Sequence, residues 1–159
     1  MLQAFAEKCR RWIRALVLPV AVLALMFAAP TGAFAAGIDI QFIEAAESGD
    51  TAEVERLLAG GADVDHRIAD GATALIMASQ NGHSAAIEVL LAKGAALDVQ
   101  RKDGATALFM ASQKGHGTII DALLAKGANT ELQIKDGRTA QDFAKNATIE
   151  NMLRAAAKP

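Results

Sequence analysis

Aromatic side chains are scarce in this chain. There is no tyrosine, one tryptophan and six phenylalanines, 4% of 159 residues, although 52% of residues are apolar. A core must therefore come from Ala, Leu, Ile and Val, which suits tightly stacked small helices better than a globule filled by large rings. Chemistry-bearing patterns are missing too. No two histidines stand at i, i+4, so a zinc site has no support. Neither Ser79 nor Ser112 lies in a Gly-x-Ser-x-Gly frame, and no phosphate-binding loop or dinucleotide fingerprint occurs. These absences argue against an enzyme, a resident cofactor or a metal site.

What is present first is an N-terminal segment unlike the rest. "MLQAFAEKCRRWIR" sets Lys8, Arg10, Arg11 and Arg14 against Glu7 alone, and "ALVLPVAVLALMFAA" follows with no charge. "PTGAFAA" then supplies Pro30 and Gly32 as helix breakers before Ala33-Phe34-Ala35. Basic, greasy, then A-x-A is the order of a signal peptide, and cleavage is expected between Ala35 and Ala36. The alternative is an uncleaved anchor, for which the charge-free run falls short of the roughly 20 apolar residues that a span needs. Arg10-Arg11 hints at a twin-arginine signal, but Arg14 stands where that motif prefers an apolar residue, which favours general secretion.

Cleavage leaves residues 36–159 with 12 Lys and Arg against 17 Asp and Glu. That acidic balance is a poor footprint for nucleic acid. Cys9 and Trp12 leave with the signal, and a thiol-free chain suits an oxidising compartment, the periplasm or the exterior. Cys9 precedes the greasy segment, so it is not placed for lipidation after cleavage.

The remainder repeats itself. "DGATALIMASQNGH" begins at Asp70 and "DGATALFMASQKGH" at Asp103, 33 positions later. At that step Thr73, Thr106 and Thr139 align, as do Gly49, Gly82 and Gly115. Leu58, Leu91 and Leu124 align with one another, and Gly61-Ala62 aligns with Gly94-Ala95 and Gly127-Ala128. A fixed period of this size means stacked units. The pattern of helix start at Thr, Gly-His turn, Leu-Leu second helix and Gly-Ala close resembles the ankyrin repeat over residues 38–157. The resemblance implies an all-α solenoid of helix-turn-helix units joined by β-hairpin-like loops, about four repeats with their caps.

Local signals agree. Thr73 is suited to N-cap a helix running to about Gln80, and Gly82 ends it by tolerating a left-handed backbone. Ser84 is expected to cap the second helix, whose Ile87, Leu90 and Leu91 form one stripe. Lys93 near its end suits the helix dipole. The repeats parse as residues 38–67, with helices near 41–48 and 51–59, then 68–100, 101–133 and 134–159. The first and last are caps, and the last is four residues shorter at the turn between its helices. Helices this short are marginal alone and need the neighbouring pair. The family's Pro is Ala74, Ala107 and Ala140 here, and its His is Ile76, Phe109 and Asp142. The usual Thr–His bonds are thus expected to be absent, the first turns looser, and Ile76 and Phe109 packed instead.

Residues recurring at the same place in each unit read as scaffold: His83 and His116 as turn and capping groups, Asp70, Asp103 and Asp136 as turn formers. His66 lies alone in a loop. The resemblance implies binding of another protein through loop tips and first-helix positions lining a concave face. Carried over position by position, these are Arg67, Asp70, Gln80 and Asn81, then Gln100, Lys102, Asp103, Gln113 and Lys114, then Gln133, Lys135, Asp136 and Arg138, with Ala69, Ala72 and Ala105 at the tips. The acidic surplus is expected elsewhere, at Glu44, Glu47, Asp50, Glu53 and Glu55. The face lacks aromatic anchors, which predicts modest affinity or a partner that supplies them. The expectation is a monomeric, exported binder that inhibits, protects or scaffolds a partner protein, with no nucleic acid bound and no membrane contact after cleavage. The competing expectation is an adaptor tethered by the uncleaved segment.

Overall fold

A computed structural model describes residues 31–157, with α-helices at Thr31–Ser48 (α1), Thr51–Ala59 (α2), Ala74–Asn81 (α3), Ser84–Ala92 (α4), Ala107–Lys114 (α5), Gly117–Ala125 (α6) and Ala147–Ala156 (α7). A 3-10 turn at Gln141–Phe143 precedes α7. The basic and greasy stretches before residue 31, with Cys9 and Trp12, lie outside the described residues. The chain divides into two units at the Ala36–Gly37 bond. The second is an all-α repeat solenoid, and no strand occurs among the described residues.

Each repeat is a helix pair. Thr73 and Thr106 stand at the N-caps of α3 and α5 in extended backbone, and the Thr106 hydroxyl accepts from Phe109 N at 3.2 Å. The Thr73 hydroxyl makes no such bond. Gly82 and Gly115 close these helices with φ of 86° and 87°, the left-handed backbone that glycine adopts without a Cβ clash. The helix restarts so soon that His83 and His116 occupy the N-caps of α4 and α6. Ser84 is therefore not the cap that the sequence suggests. It is the first residue of α4, and its hydroxyl lies 3.1 Å from that of Thr118 in the next repeat.

The end repeats differ most from expectation. The first helix begins at Thr31 rather than near Gln41, so Gly32 lies inside it and does not break it. In the last repeat, the counterpart of α3 and α5 shrinks to the 3-10 turn. There Thr139 donates its backbone N–H and its hydroxyl to Asp142 at 2.7 and 3.0 Å. A Thr–Asp pair thus fills the place where no Thr-to-side-chain bond is expected. Asn146 caps α7 by accepting from Ile149 N at 3.0 Å.

The first-row helices α3 and α5 pack directly on each other, and α2, α4, α6 and α7 stack behind them. Ala74, Ala78, Ala107 and Ala111 are fully buried, which lets the helices approach closely. Leu75, Ile87, Leu90, Leu108, Ile119, Ile120, Leu123, Ile149 and Leu153 fill the layers between repeats. Ile76 and Phe109 are buried, as expected.

The loops are tight turns rather than ladders. Ile68 N donates to Ala72 O at 3.0 Å, Arg101 N to Ala105 O at 2.9 Å and Ile134 N to Arg138 O at 2.9 Å. One backbone bond ties each of these loops to the next, from Lys102 N to Asp70 O at 2.8 Å and from Lys135 N to Asp103 O at 2.9 Å. Single bonds of this kind hold the loops side by side without forming a sheet.

Candidate protein-binding surface

The loops and first-helix ends form rows, because a residue and its counterpart 33 positions on occupy equivalent places. Arg67, Gln100 and Gln133 make the row at the loop base. Arg67 donates to Gln100 O, and Gln100 Nε2 donates to Gln133 O at 3.0 Å and Gly104 O at 3.0 Å. These two side chains stitch one loop to the next.

Asp70, Asp103 and Asp136 make a second row. Their carboxylates accept from Ala72 N at 2.9 Å, Ala105 N at 3.0 Å and Arg138 N at 3.1 Å, so each holds its own turn. Asp70 also pairs with Arg101 at 3.0 Å, and Asp103 lies 3.8 Å from the same guanidinium. Asp136 pairs with Arg138, whose hydrogen bonds hold that carboxyl below the usual aspartate range. Arg138 lies 4.1 Å over the Phe143 ring, which in turn meets Phe109 in a tilted contact with centroids 4.8 Å apart. The cation–π contact covers the last first-row helix end with a charge.

Lys102 and Lys135 occupy the tip row with Ala69, and all three are exposed. Neither ammonium group bonds to another described residue. At the helix ends, Gln80 is half-buried, while Asn81, Gln113 and Lys114 are exposed. Asn81 Nδ2 donates to Glu47 O at 2.7 Å. The Gln113 and Lys114 side chains make no bond among the described residues. The structure therefore sorts the thirteen candidates: the side chains of Arg67, Asp70, Asn81, Gln100, Asp103, Asp136 and Arg138 are engaged within the solenoid, the half-buried Gln80 and exposed Gln133 lend it only their backbone carbonyls, and Lys102, Gln113, Lys114 and Lys135 face solvent with no side-chain partner among the described residues.

Three features escaped sequence reasoning. Arg101 was no candidate, yet it sits between Asp70 and Asp103 and settles what their charges do. Glu47, assigned to an acidic region elsewhere, holds in α1 the place of Gln80 and Gln113. The same 33-residue step would have revealed it. His83 and His116 bridge repeats: their Nε2 atoms lie 2.9 Å from Glu47 O and 3.3 Å from Gln80 O. Lys145 Nζ takes over that task in the last repeat, donating to Lys114 O at 3.1 Å. His66 faces Asp39 at 3.5 Å, and among the described residues no group of His, Cys, Asp and Glu could hold a metal ion.

Stacked helix pairs with a row of loop tips define a helical-repeat solenoid. A family model for ankyrin repeats, in three copies, matches residues 42–136, and the chain belongs to the ankyrin-repeat family. No curated protein matches the chain in sequence. Ankyrin repeats are characteristically protein–protein interaction modules rather than enzymes, and that class is the one in which this surface is placed.

Proposed function

We infer that the chain is an exported binder that holds one partner protein, as a monomer and without a cofactor, against the tip and helix-end rows, and thereby inhibits, protects or scaffolds it. The carrying observation is the contrast within those rows. Most polar side chains around them are bonded into the scaffold, while among the described residues Lys102, Gln113, Lys114, Gln133 and Lys135 are exposed with no side-chain partner, Lys102 and Lys135 at the repeat spacing. A scaffold that engages their neighbours and leaves these side chains free presents them to something else.

Export to the periplasm or the exterior rests on the basic, greasy and A-x-A order of residues 1–35, and on the compact unit that opens at Gly37, next to the Ala35–Ala36 bond. One observation favours the tethered reading instead: α1 runs without a break from Thr31 to Ser48, so that bond lies in helix and must unwind to be cut. Among the described residues no helix is long and apolar enough to cross a membrane. Cell fractionation with intact mass separates the two. The exported form begins at Ala36, lacks Trp12 and so has almost no absorbance at 280 nm. A membrane-bound full-length species overturns cleavage.

Binding is tested by capture from a periplasmic extract with the wild-type chain and with Ala69→Trp/Gln113→Trp, which blocks the rows by bulk without altering charge. Loss of a specific partner in the variant is the expected outcome. Retention of every specific partner overturns the assigned face.

A further inference from the structure

Charge is distributed unevenly along the solenoid. Residues 38–67 hold eight Asp and Glu against two Arg, whereas residues 101–159 hold six against nine Lys and Arg. Ion pairing leaves the outward basic surplus to the lysines, because the loop-tip acids and two of the arginines occupy one another. Asp70 and Asp103 flank Arg101, Asp136 holds Arg138, and all three also cap their own loops. Among the described residues, the lysines beside them have no such partners. Lys102 and Lys135 hold the same place in consecutive loops, which the Lys135 N to Asp103 O bond sets side by side. Lys114 stands in the last turn of α5, where the carbonyl end of the helix favours a cation. At the other end of the stack, α1 exposes Glu44 and Glu47, the latter in the place that Gln80 and Gln113 fill further along.

Resting on the protein-binding reading above, we propose that this surface takes an acidic extended segment of the partner protein, laid across Lys102, Lys114 and Lys135, with its direction fixed by Glu44 and Glu47, which repel the acidic end from the first repeat. Ammonium groups suit carboxylates, since each is a compact charge with three freely rotating donors and imposes no planar geometry. With no exposed aromatic anchor on these rows, charge supplies orientation and encounter rate more than raw affinity. The contact is therefore salt-sensitive, because exposed charges are screened over about 10 Å at 0.1 M salt. A nucleic acid is the other polyanion that lysines attract. The acidic first repeat repels its backbone, and the rows carry no free ring on which bases would stack.

The test uses the full chain and a fluorescein-labelled peptide alternating Glu and Gly, read by fluorescence anisotropy at low salt. The expected result is binding that Lys102→Glu/Lys135→Glu weakens by about tenfold or more. Lys93→Glu/Lys126→Glu, placed at the ends of the second helices α4 and α6, leaves it within about twofold, as exposed charges outside the contact do. The matching Lys–Gly peptide does not compete. A second peptide, acidic at one end and basic at the other, carries a nitroxide on either end. The acidic-end label is expected to broaden the amides of Lys102 and Lys135, and the basic-end label those of Glu44 and Glu47. Equal loss in both charge-reversed pairs, tighter binding of oligothymidylate than of the acidic peptide, or broadening independent of the labelled end overturns the proposal. If the tryptophan variant still abolishes partner capture in that event, the protein-binding reading stands and only the acidic segment falls.

Discussion

Gly104 sits where the following loop passes closest. Its φ is +91°, and a Cβ there would lie 2.7 Å from the Ile134 Cα, an atom of backbone that has no rotamer by which to escape. Gly127 has a similar φ of +89° with open space around it. Both positions disfavour an L side chain by about 1–2 kcal/mol, but only Gly104 adds a steric clash. Gly104→Ala is expected to destabilise the chain by about 3 kcal/mol or more, and Gly127→Ala by about 1 kcal/mol, as measured by urea denaturation. Equal losses would show that the close approach to Ile134 is relieved at no cost. Ser79 and Ser112 present the opposite case. Both are fully buried, and neither hydroxyl has a hydrogen-bond partner among the described residues. In α1 the equivalent place is Ala46, also fully buried. Replacing an unpaired buried hydroxyl by a methyl removes a desolvation penalty, so Ser79→Ala and Ser112→Ala are expected to leave stability unchanged or raise it by about 1 kcal/mol. A loss beyond about 1 kcal/mol in the same denaturation series would mean that these hydroxyls do bond in solution.

At the scale of the element, the 3-10 turn of the last repeat depends on one carboxylate. The Thr139 backbone and side-chain hydrogen bonds hold Asp142 below its ordinary value of 3.8. Because the folded value is the lower one, the bonds stabilise the turn above the ordinary value and are lost as pH falls through the depressed one. Followed by NMR, the Thr139 amide is expected to shift with a midpoint below 3.8, and Asp142→Asn to abolish that titration. A midpoint at or above 3.8 would mean that the pair does not form. This turn also shows how legible the elements were. The helices α3 to α6 could be read directly, because Thr at the start and Gly in the left-handed turn recur at fixed offsets. The Thr139–Asp142 pair was hidden by expecting histidine at that place. Ser84 misled because a hydroxyl before an apolar stripe looks like a cap, while the glycine turn moved the cap back one residue to His83. The bonds from His83 and His116 leave no sequence trace, since their acceptors are backbone carbonyls of another repeat. For the binding surface, the thirteen candidates came from the family resemblance carried over position by position, and the 33-residue step set them in rows. Which of them remained free depended on distances such as that from Arg101 to Asp70, and a 33-residue step does not supply distances.

For the whole molecule, the stack makes stability a matter of shared interfaces. Helices of eight to ten residues, such as α3 to α7, gain little from their own hydrogen bonds. Each repeat is held by its neighbours, so a central repeat contributes to two interfaces and a terminal one to a single interface. Leu123 in α6 and Leu153 in α7 are both fully buried, and they differ chiefly in that respect. Truncation to alanine removes the same atoms, about 2–5 kcal/mol of packing in either case. The consequences should diverge. With Leu153→Ala, the last repeat is expected to open locally, raising hydrogen exchange in α7 while α3 and α4 keep their protection. With Leu123→Ala, α6 loses its packing against both α4 and α7, and exchange is expected to rise across α3 to α7 together with a lower unfolding midpoint. Exchange that rises uniformly in both variants would mean that the chain unfolds as a single cooperative block, and that the translational repetition of its sequence has no counterpart in how its stability is divided.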